Sequence, residues 1–271
     1  MSVDVVDRVV VVTGGASGIG RALSRAFAEH GARGTVVADL DAEGARMVAD
    51  ELVGRGFPAL AVGTDVSKEE DVVALVATTE ETFGPVEVFC ANAGIAVAGG
   101  VEVSNADWER MWAVNVQSHI YAARAVLPGM LERGEGYLVH TASAAGLLTQ
   151  LGSAPYSVTK HAVVALAEWL SITHGDAGIR VSCLCPQGVW TGMTGANDAE
   201  PNDATVSTVG RDGMLQPEEV ADDVLAAMAE ERFLILPHPE VATYEQRRAG
   251  DRERWLGAMR KMQAQLVKLL T

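Results

Sequence analysis

Cysteine is scarce in this chain, three among 271 residues, and none is placed for covalent or metal chemistry. Cys90 stands alone, while Cys183 and Cys185 are spaced by two, which suits neither a C-x-x-C redox pair nor a paired zinc ligand set. A disulfide framework is excluded, a reducing compartment is the expectation, and each thiol reads as a small buried hydrophobe in a central strand. Basic residues are few as well: 21 Lys and Arg face 36 Asp and Glu, for a net charge of −15. A body this acidic repels a phosphate backbone, which excludes nucleic acid as a partner. No run approaches eighteen uninterrupted apolar residues, so no membrane span is predicted. The start, Met1-Ser2-Val3-Asp4, has no basic stretch followed by an apolar core, and a cytoplasmic location is expected. No His, Asp and Glu spacing suggests a metal site, and neither an internal repeat nor a low-complexity linker is visible. Aromatic residues make up only 5% of a chain that is 48% apolar, so Val, Ala and Leu must fill the core.

Strand-like and helix-like patterns alternate throughout, which argues for parallel β-α-β units. Strands are expected near 8–13, 35–39, 58–63, 86–90, 136–141, 179–184 and 233–236, with helices beginning near Gly18, Asp41, Ser67, Asn105, Pro155 and Pro217. The predicted fold is α/β: a Rossmann-type, doubly wound, mainly parallel seven-stranded sheet with helices on both faces. Residues 1–271 read as a single domain. Thr191 to Gln216, rich in Gly, Asn, Asp, Ser and Thr, reads as a mobile segment.

The β-branched run Val9-Val10-Val11-Val12 leads into Thr13-Gly14-Gly15-Ala16-Ser17-Gly18-Ile19-Gly20 and then a helical pattern. Glycines at a strand-to-helix turn let backbone N–H groups approach a pyrophosphate at the positive end of a helix dipole. Their spacing, G-x-x-x-G-x-G, differs from the usual G-x-G-x-x-G fingerprint. The next strand ends in Asp39, about twenty residues beyond the glycines, where a carboxylate can accept hydrogen bonds from both adenosine ribose hydroxyls. It would also repel a 2′-phosphate. With Leu40 following and no Lys or Arg within the glycine turn, the pattern favours NAD over NADP; an N-cap or exposed surface role for Asp39 is the alternative.

Tyr156 and Lys160 stand four residues apart, with Ser143 thirteen residues before Tyr156. On a helix, positions i and i+4 share a face, and an ammonium beside a phenol favours phenolate. A lowered phenol pKa would make Tyr156 a usable general acid and base. His161, rotated some 100° from Lys160, is not expected to share that chemistry.

These features together resemble the short-chain dehydrogenase/reductase (SDR) family from about Asp7 to Pro237. The match runs through T-G-x-x-x-G-I-G at Thr13 to Gly20, Asp65-Val66, Asn92-Ala93-Gly94, Asn115-Val116, Ser143, Tyr156 with Lys160, and the Pro186 to Thr191 loop. The resemblance implies reversible hydride transfer between a nicotinamide and a secondary alcohol or its ketone. It implies Asn115, Ser143, Tyr156 and Lys160 as the catalytic set, with Asn115 in a water relay. It further implies cofactor contacts from Gly14, Ser17, Gly18, Ile19, Gly20, Asp39, Leu40, Asp65, Val66, Asn92, Ala93, Gly94, Tyr156, Lys160, Val189 and Thr191, with Asp65 and Val66 in the adenine pocket. By the same resemblance Thr191 to Gln216 is a lid over substrate. Gln187 stands where Pro-Gly is frequent, as either a substrate contact or a turn substitution. Leu147, Leu148, Gln150, Leu151, Trp190 and Met193 suggest a largely apolar pocket, hence a hydrophobic alcohol or ketone. The alternative is a non-catalytic, NAD-responsive binding protein on the same scaffold.

From Val241 to Thr271 the balance reverses, with seven Lys and Arg against three Asp and Glu, which leaves −19 on the rest. Trp255, Met259, Met262, Leu266 and Leu269 recur at steps of three or four, the pattern of an amphipathic helix. This extension, about 240–271, is expected to dock on its own subunit, with an acidic neighbour in an oligomer or a membrane surface as the alternatives. Family resemblance implies a homodimer or homotetramer, with Trp108, Met111, Trp112 and Trp169 as apolar contacts.

Overall fold

The computed structural model describes residues 5–195, 210 and 212–270. Seven strands, β1 (Val9–Thr13), β2 (Gly34–Asp39), β3 (Ala59–Gly63), β4 (Val88–Ala91), β5 (Gly136–Thr141), β6 (Ile179–Leu184) and β7 (Leu234–Ile235), form one sheet in the order β3-β2-β1-β4-β5-β6-β7. Every neighbouring pair is parallel. All-parallel sheets need cover on both faces. That is why β1 is valine throughout its first four residues rather than alternating with polar side chains.

The pleat sorts those side chains into two cores. Val10 and Val12 of β1, Val88 and Cys90 of β4, and Tyr137 and Val139 of β5 pack under helices α1 (Gly18–Glu29) and α8 (Pro217–Ala229). Val11, Phe89 and Leu138 face the other way, under α3 (Glu69–Phe83), α5 (Ser118–Arg133) and α7 (Ala154–His174). A third cluster seats α2 (Ala42–Gly54) through Val48 and Leu52. From β1 the chain winds outward to β3, then returns to β4 and winds the other way. The resulting switch point opens a crevice at the carboxyl ends of β1 and β4, where open α/β sheets bind ligands.

Four details depart from the expected pattern. Helix α3 begins at Glu69 rather than Ser67, because Asp65 accepts hydrogen bonds from the Ser67 backbone N–H (3.1 Å) and hydroxyl (2.6 Å) and holds that residue in a turn. The long helix expected around Asn115 is interrupted: α4 (Asn105–Trp112) passes through a π-helical turn, Ala113–Gln117, before α5. Strand β7 is two residues long. Met111 is fully buried with Ala145 and Tyr156 in its own subunit, so it is no interface residue, whereas Trp112 and Trp169 are 41% and 56% exposed.

A short α6 (Ala145–Leu148) follows β5. After β7 come α9 (Glu240–Gly250) and α10 (Arg252–Leu270). Val241, Tyr244 and Trp255 anchor these two helices to the larger core, and α9 packs on α6, so the C-terminal extension docks on its own subunit. Among the described residues no helix is long and apolar enough to cross a membrane.

Phe89 sits beneath the crevice, 1% exposed. Phe89→Ala should cost about 3–5 kcal/mol by leaving an unfilled cavity, read as a lowered urea midpoint at unchanged slope; a loss under about 1 kcal/mol would contradict this packing.

Candidate active site

The turn between β1 and α1 is shaped by close contact. A Cβ on Gly20 would lie 2.0 Å from the Gly14 carbonyl oxygen, and one on Gly18, whose φ is +50°, would lie 2.9 Å from Thr191 Cγ2. Only glycine permits this approach of helix to turn. Ser17, the residue before α1, makes no side-chain capping bond, so the first N–H groups of the helix are left for another acceptor. At the tip of β2, Asp39 accepts from the Ala16 N–H and the Asp41 N–H, each at 3.0 Å, which fixes its carboxylate at the crevice edge.

Asn92, just past β4, ties three strand tips together. Its amide donates to the Thr13 carbonyl (3.0 Å) and accepts from the Thr141 hydroxyl (3.1 Å), while Thr13 Oγ1 accepts from the Asn92 and Ala93 N–H groups (2.9 and 3.2 Å). Beside it, Asn115 accepts from the Ile95 N–H (2.9 Å) and donates to the Ile95 carbonyl (2.9 Å) and Thr159 Oγ1 (3.2 Å). The π turn aims this side chain inward. A Cβ on Gly94 would stand 3.4 Å from Asn115 Oδ1 and 3.5 Å from Lys160 Nζ, so glycine leaves room for both.

Helix α7 starts at a capped end: Ser153 Oγ accepts from the Tyr156 N–H at 3.3 Å, and Pro155 occupies the first turn. This seats Tyr156 and Lys160 on the buried face, 9% and 2% exposed. Lys160 Nζ donates to the Thr141 carbonyl at 2.9 Å and lies 5.6 Å from the Tyr156 ring centroid. Ser143 accepts from the Ala145 N–H (3.1 Å) and donates to the Pro186 carbonyl (3.3 Å). Burial raises the Tyr156 pKa above its ordinary value, opposed by a hydrogen bond with Ser143; burial also pushes Lys160 down to about 8. The expected lowering of the phenol pKa is therefore not met in the protein alone, where desolvation outweighs the hydrogen bond with Ser143.

Behind Lys160 lies a feature that sequence reading missed. His119 and His140, both fully buried, meet Nδ1 to Nδ1 at 2.9 Å, and neither Nε2 has a partner among the described residues. Desolvation lowers both pKa values, His140 to about 4, so the pair is neutral.

A cavity of about 1860 Å³ joins these groups. Gly14, Ser17, Gly18, Ile19, Gly20, Asp39, Leu40, Val66, Asn92, Ala93, Gly94, Ser143, Tyr156, Lys160, Val189 and Thr191 all line it. Two expected residues do not. Asp65 spends its carboxylate on Ser67 and on Lys68 (3.3 Å), which lowers its pKa, and Asn115 stands one layer behind the wall. Of the expected pocket residues, Leu148, Gln150, Leu151 and Met193 line the cavity, while Leu147 and Trp190 do not. Gln187 lines it, with a buried Oε1 that has no partner among the described residues. Positions 196–209 and 211 of the expected lid lie outside the described residues. The largest omission was the roof: Tyr244, Arg247, Arg254, Trp255, Met259 and Met262 come from α9 and α10. Their amphipathic stripe was visible in the sequence, but nothing there located its partner.

The volume exceeds the several hundred Å³ of an ordinary ligand pocket, which leaves room for a dinucleotide and a second molecule together. A short chain dehydrogenase family model matches residues 8–202. The chain is 39% identical over 237 residues to 1-deoxy-11-beta-hydroxypentalenate dehydrogenase of Streptomyces exfoliatus, covering 86% of this chain and 84% of that protein. It is 34% identical over 219 residues to 3beta-hydroxysteroid dehydrogenase 2 of Eggerthella lenta, covering 78% and 84%. A crystal structure of a short chain dehydrogenase/reductase from Burkholderia phymatum in complex with NAD superposes with a TM-score of 0.84 at 35% identity, over 93% of this chain and 96% of that one.

The lowered pKa of Lys160 has a measurable consequence. Folding depresses this pKa from its ordinary 10.5 to about 8, so between those values the unfolded chain binds more protons and wild-type stability rises with pH relative to Lys160→Met. The gain should reach roughly 3 kcal/mol by pH 10.5, read as the difference in urea-unfolding free energies. A pH-independent difference would show that the ammonium is not desolvated.

Proposed function

This chain belongs to the short-chain dehydrogenase family, and from that premise we propose that it is an NAD-dependent dehydrogenase interconverting a secondary alcohol of largely apolar body and its ketone. The observation that carries this reading is convergence: Tyr156, Lys160 and Ser143 meet in one cavity with Asp39 and the glycine turn. NAD, when bound, supplies the hydride acceptor. The glycine cradle fits its pyrophosphate, because Gly14, Gly18 and Gly20 leave the backbone bare at the start of α1. Asp39 would accept from the adenosine ribose hydroxyls and disfavour a 2′-phosphate.

Tyr156 receives the alcohol proton in the oxidation direction. Ser143, already held by Ala145 and Pro186, donates to the reacting oxygen with little reorganisation. Lys160 lies close enough to the phenol to oppose the desolvation that keeps it protonated, and Asn115 holds the Ile95 and Thr159 side of the floor. Gln187 Oε1 is free to accept a hydrogen bond from whatever fills the crevice. The apolar wall of Leu148, Leu151, Met193, Trp255 and Met259 favours a hydrophobic substrate body. Exposed Trp112 and Trp169 support pairing with further copies, as a homodimer or homotetramer.

Tyr156→Phe should reduce NADH formation from secondary alcohols at 340 nm by at least a thousandfold while retaining NAD binding by calorimetry; residual activity within tenfold of wild type would remove Tyr156 from its role. In wild type the oxidation rate should climb with pH through the neutral range, because burial holds the phenol protonated and its basic form is the one required. For the cofactor, Asp39→Ala with Leu40→Arg should move the kcat/KM ratio of NAD to NADP by at least a hundredfold towards NADP. An unmoved ratio would place the selecting group elsewhere.

A further inference from the structure

The chain is acidic, and its cations are distributed unevenly in use. Among the described residues before Glu240, every Lys and Arg except Arg133 and Lys160 makes an ion pair with a carboxylate. Arg133 and Lys160 are also committed, each donating to a backbone carbonyl. Among the described residues none of the seven cations of α9 and α10 makes an ion pair, although carboxylates outnumber cations over the chain as a whole. Three of the seven, Arg247, Arg254 and Lys261, line the cavity that contains Tyr156.

Their neighbours in that wall are apolar: Trp255, Met259 and Met262 on the same helices, and Leu148 and Leu151 opposite. Two carboxylates, Asp212 and Asp251, share this wall with the three cations and leave it one positive charge in excess. Asp251 accepts the Arg254 backbone N–H at 2.9 Å, and Asp212 accepts the Tyr244 hydroxyl at 2.9 Å. A row of cations without ion-pair partners among the described residues, beside an apolar wall, is complementary to a molecule with a hydrophobic body and an anionic end.

The cofactor's pyrophosphate is also an anion, but its cradle is the turn between β1 and α1, whereas these residues belong to α9 and α10 on another wall of the cavity. Helix α9 packs on α6, and a smaller second cavity runs between Leu148, Leu151, Arg248, Arg252, Trp255 and Met259. The C-terminal helices thus wall the cavity beside α6, the helix that follows Ser143.

We propose that the substrate of this dehydrogenase is an apolar secondary alcohol bearing a carboxylate, and that Arg247 and Arg254, with Lys261 at the rim, recognise that carboxylate. The proposal rests on the dehydrogenase reading for its alcohol but not for its anion. A surface arginine pairing with a carboxylate in water contributes little. Arg247 and Arg254 are themselves exposed in the protein alone, so the gain comes from the bound apolar body, which screens the pair from water; held bidentate in that setting, the carboxylate changes affinity by tenfold or more.

The test compares hydroxy acids with their methyl esters, which keep the body and remove the charge. Three pairs of rising size serve as probes: 4-hydroxycyclohexanecarboxylate, a hydroxydecalin carboxylate and a hydroxycholanoate, each with its ester. Binding to the NAD-loaded full chain is followed by calorimetry, and turnover at 340 nm. The expected result is at least a tenfold preference for the acid in one or more pairs, falling to near unity in Arg247→Ala/Arg254→Ala and weakening as salt is raised. Esters that bind as well as acids in every pair, or no binding of any probe, would overturn the proposal. So would a preference that survives the double variant, a matching loss of NAD affinity, or a change of oligomeric state that alone explains the effect. Acids that bind with charge preference yet are never oxidised would leave the anion site standing and remove the dehydrogenase reading instead.

Discussion

One amide holds the catalytic end of the sheet in shape. Asn92 bonds the tip of β1 through Thr13 and the tip of β5 through Thr141, across the β4 tip on which it stands. These are the strands that diverge at the switch point, where a crevice would otherwise be free to widen. The Thr141 carbonyl next to this tie is the acceptor for Lys160, so the same junction that fixes the strand ends also fixes the ammonium. Burial without such partners would be costly for an amide and prohibitive for a charge. Each polar group at the tip is tolerated because another is there.

The electrostatics follow from this placement. Lys160 and Tyr156 are both pushed towards their neutral forms by burial, one down and the other up. The two shifts separate a pair that is nearly matched in water, so that Lys160 gives up its proton more readily than Tyr156 in the protein alone. The buried histidines behind Lys160 add no cation, since desolvation keeps them neutral, and this spares the ammonium a like charge nearby. A site of this kind gives up stability for reactivity, and the wide hydrophobic layers on either side of the sheet hold it together.

How much of this was legible in the sequence differs by element. The run Val9 to Val12 announced a buried parallel strand because burial on both faces removes the need for alternation, and all seven strands were placed close to where they lie. Tyr156, Lys160 and Ser143 were legible because a local helix period and a strand end bring them together. The engagement of the Asp65 carboxylate by Ser67 was not legible for one reason, that a motif does not show the local hydrogen bonds of the turn before α3. Met111 misled for a different reason: the π turn after α4 sets which side chains of that helix face inward, and such a turn has no periodic signature. The pairing of His119 with His140 depends on α5 crossing β5, contacts distant in sequence. Nor could the amphipathic stripe of α10 say which surface it would meet.

The cavity is consequently built from two kinds of wall. Its floor consists of strand ends and the first turns of α1 and α7, where each side chain is held by neighbours from several elements. The roof consists of α9 and α10, which attach through Val241, Tyr244 and Trp255, with Arg248 reaching His161, and whose basic side chains make no ion pair among the described residues. Substitutions in the floor propagate through the sheet, while substitutions in the roof stay local. A change confined to the roof can therefore retune which molecules enter while the chemistry beneath keeps its form, so the last two helices are the part of this fold where substrate range is adjusted at least structural cost.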